Sequence, residues 1–107
     1  MRRVLAIMAL LAAVASSAES RAADASAQVR RVLKSARCDK CHDSSVAPDN
    51  ARALAVYDLV ETEWPARMKD AQLPKLLTRL RGAPVSDQKI VRDFIDAELT
   101  RRSASRR

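Results

Sequence analysis

The sequence predicts an all-α fold: a small helical domain wrapped around one five-residue motif. Three observations predict it. Apolar residues recur at helical spacing in several segments, as at Leu73, Leu76, Leu77 and Leu80. No segment alternates apolar and polar residues as a half-buried strand does. The motif Cys38-Asp39-Lys40-Cys41-His42 directly follows the first helical segment beyond the N-terminal apolar run.

The elements follow in order. Arg2 and Arg3 precede an unbroken apolar run from Val4 to Ala15, and Ser16-Ser17-Ala18 supplies small residues. This pattern reads as a secretory signal peptide over 1–18, cleaved after Ala18 or, as a second choice, after Ala22. The other reading is an uncleaved membrane anchor, but the run has 12 residues, where a span takes roughly 17–25. Cleavage after Ala18 leaves 18 Lys and Arg against 13 Asp and Glu, a net +5. Residues 24–100 then form one small domain, and such a domain often needs a staple to be stable.

Ala23 to Ala36 reads as the first helix, capped by Asp24 or Ser26, with Val29, Val32, Leu33 and Ala36 facing inward. Asp43 to Asn50 reads as a loop. Ala51 to Leu59 is weakly helical, with Ala53, Leu54 and Tyr57 on one side. Thr62 can cap a short helix through Glu63, Trp64 and Pro65. The Leu73–Leu80 stripe forms another helix, with Pro74 in its first turn and Gly82 at its end. Ser86 caps the last helix, Asp87 sits favourably in its first turn, and Ile90, Val91, Phe94, Ile95 and Leu99 form its buried face. Residues 101–107 carry Arg101, Arg102, Arg106 and Arg107 and read as a basic tail beyond that helix.

The chemistry lies in the motif. Two thiols three positions apart can each add to one vinyl group of a haem, and the following His becomes an axial ligand of the iron. Cys38 and Cys41 are the only cysteines, and His42 is the only histidine. A structural zinc site needs four ligands and would need an acidic fourth ligand or a second chain. A thioredoxin-like dithiol belongs in a strand–helix context not found here. A disulfide across two intervening residues leaves His42 unexplained. The motif therefore predicts one covalently attached haem c.

A helix, then Cys38-x-x-Cys41-His42, a loop-rich middle, and a last helix carrying Ile90, Val91 and Phe94 resemble the class I c-type cytochromes over residues 25–100. The resemblance implies a helical domain around one haem, one-electron transfer, and a Met as the second axial ligand. Only Met68 lies outside the leader, because Met1 and Met8 fall within it. Met68 is the candidate distal ligand; core packing, an open iron or another donor such as Lys69 are the alternatives. Phe94 matches the family's aromatic where the first and last helices cross, and Trp64 and Tyr57 are the candidate walls of the haem pocket.

The chain departs from the family pattern in three ways. The first helix lacks the Gly of the helix crossing, where Ala27 or Gln28 stands instead. Residues 50–80 are more helical than the usual Met loop. Aromatics are few. The resemblance implies an exported, periplasmic carrier that is no enzyme and acts as a monomer between redox partners. The basic tail suits an acidic docking face on such a partner, or anionic lipid. Nucleic acid is a poor fit for an exported chain with few aromatics to stack on bases. Two other readings stand: a gas-binding haem protein with an open distal position, and a haem subunit of a larger oxidoreductase.

Overall fold

The computed structural model describes residues 21–107. The expected leader, 1–18, lies outside the described residues. The described residues are mostly helical and contain no strand, so the all-α expectation holds.

Residues 21–35 form helix α1. Val29, Val32 and Leu33 are buried on its inner side, as their spacing requires. Asp24 and Ser26 do not cap it, because residue 21 is already helical. The Ser26 carbonyl instead accepts the indole N–H of Trp64 at 3.2 Å. Ala36, expected on the buried face, is exposed in the turn that closes the helix.

That turn has the geometry of a Schellman cap. The Cys38 N–H donates to the Leu33 carbonyl at 2.9 Å, and the Arg37 N–H donates to Lys34 at 3.0 Å. Arg37 takes φ 68° to close it. This left-handed position usually belongs to Gly, which has no Cβ to clash. The cap delivers Cys38 directly into the single turn of α2, Asp39–His42.

The loop from Asp43 to Asn50 is irregular, as expected. Two buried carboxylates organise it. Asp43 Oδ1 accepts from the Ser45 N–H and hydroxyl, and Asp58 Oδ1 accepts from the Ser44 and Val60 N–H groups. Helix α3, Ala51–Val56, starts at Asn50, whose side chain accepts from the Ala53 N–H. It stops short of Leu59. Tyr57 turns to extended backbone, and the Leu59 N–H leaves the helical ladder for the His42 carbonyl at 2.7 Å.

Trp64–Arg67 is a 3-10 helix with Pro65 in its first turn, as expected, although Glu63 rather than Thr62 precedes it. The Leu73–Leu80 stripe is only partly α-helical. Helix α4 covers Lys75–Arg79, and turns fill the segment before it. Leu73, Leu76 and Leu80 are buried all the same. Bonds from Leu76 to Leu73, Leu77 to Pro74 and Leu80 to Leu77 run three residues back. Such turns bring i and i+3 side chains to one side much as an α-helix does.

Helix α5 runs from Val85 to Ser105, with Pro84 rather than Ser86 at its N-cap. Asp87 lies in its first turn, and Val91, Phe94 and Ile95 are buried. The expected basic tail is instead largely the last turns of this helix. Arg101 and Arg102 pair with Glu98 on the turn below, and Arg106 reaches Asp70. Cations near a helix C-terminus also favour its dipole, so the arginines extend the helix rather than fray it.

One core joins these pieces. Val29 and Leu33 of α1, Trp64 and Met68, the leucines around α4, and Val91, Phe94 and Ile95 of α5 pack together.

Candidate functional site

The site is built on the shortest helix. In α2 the N–H groups of Cys41 and His42 both donate to the Cys38 carbonyl, at 3.2 and 3.0 Å. This single turn places Cys38, Cys41 and His42 along one cavity. α2 packs beside α3. Between them opens a cavity of about 510 Å³, with Cys38, Cys41 and His42 along one wall and Ala53, Val56 and Tyr57 nearby. Its size falls in the range of cavities that hold a small-molecule or cofactor ligand, roughly 300–1,000 Å³.

His42 is fixed from behind. Its Nδ1 lies 2.9 Å from the Ala53 carbonyl and 3.3 Å from that of Tyr57. Carbonyls only accept, so Nδ1 carries the proton and Nε2 is the nitrogen with a free lone pair. The Tyr57 ring lies flat on the imidazole, 3.8 Å between centroids and 10° between planes. Tyr57 in turn touches Trp64 at 5.6 Å, and Trp64 touches Phe94 at 5.7 Å. The chain contains one His, one Tyr, one Trp and one Phe, and all four rings form this single line from the motif to α5.

The two thiols differ. Both are free; Cys41 is exposed and Cys38 is half-buried. Burial pushes the Cys38 thiol up, while the hydrogen bond from the Tyr57 hydroxyl and the charge of Arg79 pull it back in part. The Tyr57 phenol is raised well above its ordinary range, first by burial and then by the adjacent Cys38. Among the described residues, no three His, Cys, Asp or Glu side chains converge as ligands of one metal ion.

The geometry fits a haem held through the motif. The donor set is two accessible thiols and one imidazole whose second nitrogen is fixed by a backbone carbonyl, the outer-shell bond that orients a metal-binding His. Tyr57 stands on the cavity wall with them. Trp64 does not; it is fully buried behind Tyr57. Met68 is also absent from that wall. Its side chain is 3% exposed and packs in the core. Its carbonyl is held by Arg102 of α5 at 2.6 Å.

Sequence reasoning does not find the arginines of the site. Arg37, Arg52 and Arg79 line the cavity, yet an exposed arginine has no local signature. Asp43 has a partial one, because Asp followed by Ser favours a side-chain-closed turn. Among the described residues, no helix is long and apolar enough to cross a membrane.

Comparison of this chain with family models, with curated proteins and with solved structures finds no match.

Proposed function

We propose that this chain is an exported monohaem c-type cytochrome, a one-electron carrier between redox partners. One observation carries the reading: Cys38, Cys41 and His42 share one helical turn and one cavity wall, with Nδ1 of His42 committed to the Ala53 carbonyl. Cys38 and Cys41 supply the two thiols for thioether attachment. His42 offers Nε2 to the iron, while Ala53 fixes the tautomer and ring orientation and raises the basicity of that nitrogen. Tyr57 excludes water from one face of the imidazole. When bound, the haem supplies a one-electron couple whose potential the axial ligands, burial and hydrogen bonding set. The expected leader, and the resemblance to class I cytochromes over residues 25–100, support export and electron transfer.

A second reading has its own support. Met68 lies in the core and not on the cavity wall, which favours an iron position open to a small external ligand. Optical spectra of the haem-loaded protein, oxidised and reduced, with and without carbon monoxide, separate the two. A weak far-red charge-transfer band in the oxidised form, absent in Met68→Ala, identifies Met68 as the distal ligand and supports the carrier. A high-spin spectrum that shifts on adding carbon monoxide rules out stable Met68 ligation and supports the ligand-binding reading.

A further inference from the structure

Tyr57 touches two of the three motif residues at once. Its ring lies flat on the His42 imidazole, 3.8 Å between centroids. Its hydroxyl hydrogen-bonds to the Cys38 side chain. It is the only tyrosine of the chain, and it is buried on the wall of the motif cavity.

The backbone holds it in that place. Tyr57 leaves α3 in extended conformation, and its N–H donates to the Ala53 carbonyl, the oxygen that Nδ1 of His42 meets at 2.9 Å. The next two residues are tied to the motif as well. The Asp58 carboxylate accepts from the Ser44 N–H at 3.0 Å, and the Leu59 N–H donates to the His42 carbonyl at 2.7 Å. Direct hydrogen bonds therefore join residues 42–44 to residues 57–59 beside the ring.

Packing explains the ring but not the hydroxyl. A Phe would cover the imidazole equally well, and burying a phenol costs free energy unless its hydroxyl finds a partner. The partner here is a thiol that attachment uses. The two thiols also differ in access. Cys41 is exposed, whereas Cys38 is half-buried beside Tyr57.

We propose that Tyr57 is a positioning residue for covalent attachment: its hydroxyl holds the Cys38 sulfur toward the motif cavity, so that Cys38 closes the second thioether after Cys41 has formed the first. This rests on the cytochrome reading above. At each cysteine the S–H bond breaks, the sulfur bonds to one vinyl carbon, and a proton ends on the other. The C=C π bond is consumed, and no external oxidant or reductant takes part. Once Cys41 is joined, the step at Cys38 takes place within one molecule, and its rate follows how well the reacting atoms are aligned. The aim of the Cys38 sulfur therefore matters most for the second bond.

The test uses the full chain, produced in a host that attaches haem covalently and exports proteins, with the variants Tyr57→Phe, Tyr57→Leu and Val29→Ala. Val29 is fully buried in the core and does not line the motif cavity, so it controls for lost stability. The addition conserves every atom, so chains with one and with two thioethers have the same intact mass. Haem-bearing chains are therefore denatured, labelled with iodoacetamide and mapped by peptide. The absorption of the haem in alkaline pyridine is recorded beside this, because a surviving vinyl group extends its conjugation and moves the band to longer wavelength.

The parent is expected to take no label. Tyr57→Phe is expected to lose the Cys38 thioether in part of the chains, with label at Cys38, none at Cys41, and a band at longer wavelength. Tyr57→Leu is expected to show the same label and also an altered spectrum of the native oxidised protein, because the imidazole has lost its stacked partner. Val29→Ala is expected to give less protein but no label on the chains that carry haem.

Haem-bearing Tyr57→Phe without label at Cys38 would overturn the proposal. So would label shared equally by the two cysteines, or the same Cys38 label in Val29→Ala, which would trace the loss to stability alone. A parent chain without covalent haem, read beforehand by mass, defeats the cytochrome reading itself and is distinct from these outcomes.

Discussion

A single nitrogen decides what this site can do. His42 has one ring nitrogen tied to a backbone carbonyl and one without a hydrogen-bond partner among the described residues. The residues around it divide two otherwise similar thiols. Cys41 is exposed, and Cys38 is half-buried under the Tyr57 hydroxyl. In the haem-free chain near neutral pH, Cys41 is expected to alkylate faster than Cys38. Tyr57→Phe is expected to slow Cys38 further, because the Tyr57 hydroxyl partly offsets the effect of burial on the thiol. Peptide mapping after timed alkylation measures both rates, and equal rates at the two cysteines would contradict this account. At this scale the sequence is legible where chemistry needs a rare residue type. One His and two Cys leave a single arrangement. It is not legible at Arg37, whose left-handed backbone follows from the path of α1 into α2 and has no signature in an Arg-Cys pair.

Helix α5 shows how an element can be read correctly in its middle and wrongly at its end. The buried face at Val91, Phe94 and Ile95 follows from periodicity. The end does not, because no Gly or Pro follows Leu99 to stop the helix, and clustered arginines suggest a solvated tail. Long-range partners decide the outcome. Arg102, whose side chain is 14% exposed, donates to the carbonyls of Pro65 and Met68 at 2.8 and 2.6 Å and pairs with Asp70 and Glu98. It closes the 3-10 helix that places Trp64 and Met68 in the core. Arg102→Ala is expected to destabilise the chain by about 2 kcal/mol, the range for hydrogen bonds to charged groups. Arg102→Lys should recover only part of this, because an ammonium lacks the flat fork that reaches both carbonyls. Urea titrations of the two variants check both values. The stripe at Leu73–Leu80 teaches the complementary lesson. Burial of Leu73, Leu76 and Leu80 was legible, but periodicity alone does not distinguish an α-helix from consecutive i+3 turns.

The whole molecule combines a modest core with carboxylates that anchor its loops. Burial alone would raise Asp58, but the Ser44 side chain and the N–H groups of Ser44 and Val60 bring it below the usual carboxylate range. Asp70 is lowered by its hydrogen bonds to Arg102 and Arg106. At Glu98, burial opposes and the hydrogen bonds from Arg101 and Arg102 win, so it too is lowered. Each group binds a proton less readily folded than unfolded. The stability they provide is therefore complete above the ordinary carboxylate pKa, about 4, and is lost as pH falls through the depressed folded values. The melting temperature is expected to hold steady from about pH 7 to 5 and to drop below about pH 4. Asp70→Asn should reduce the size of that drop. Thermal melts across this range read it directly.

The most direct test of the cytochrome account is the intact mass of the chain, produced in a host that attaches haem covalently and exports proteins, and compared with Cys38→Ser/Cys41→Ser. The account predicts one haem per chain that survives denaturation and acid extraction in the parent, and none in the double variant. An unmodified mass for the parent protein from such a host, with free thiols at both Cys38 and Cys41, would contradict it.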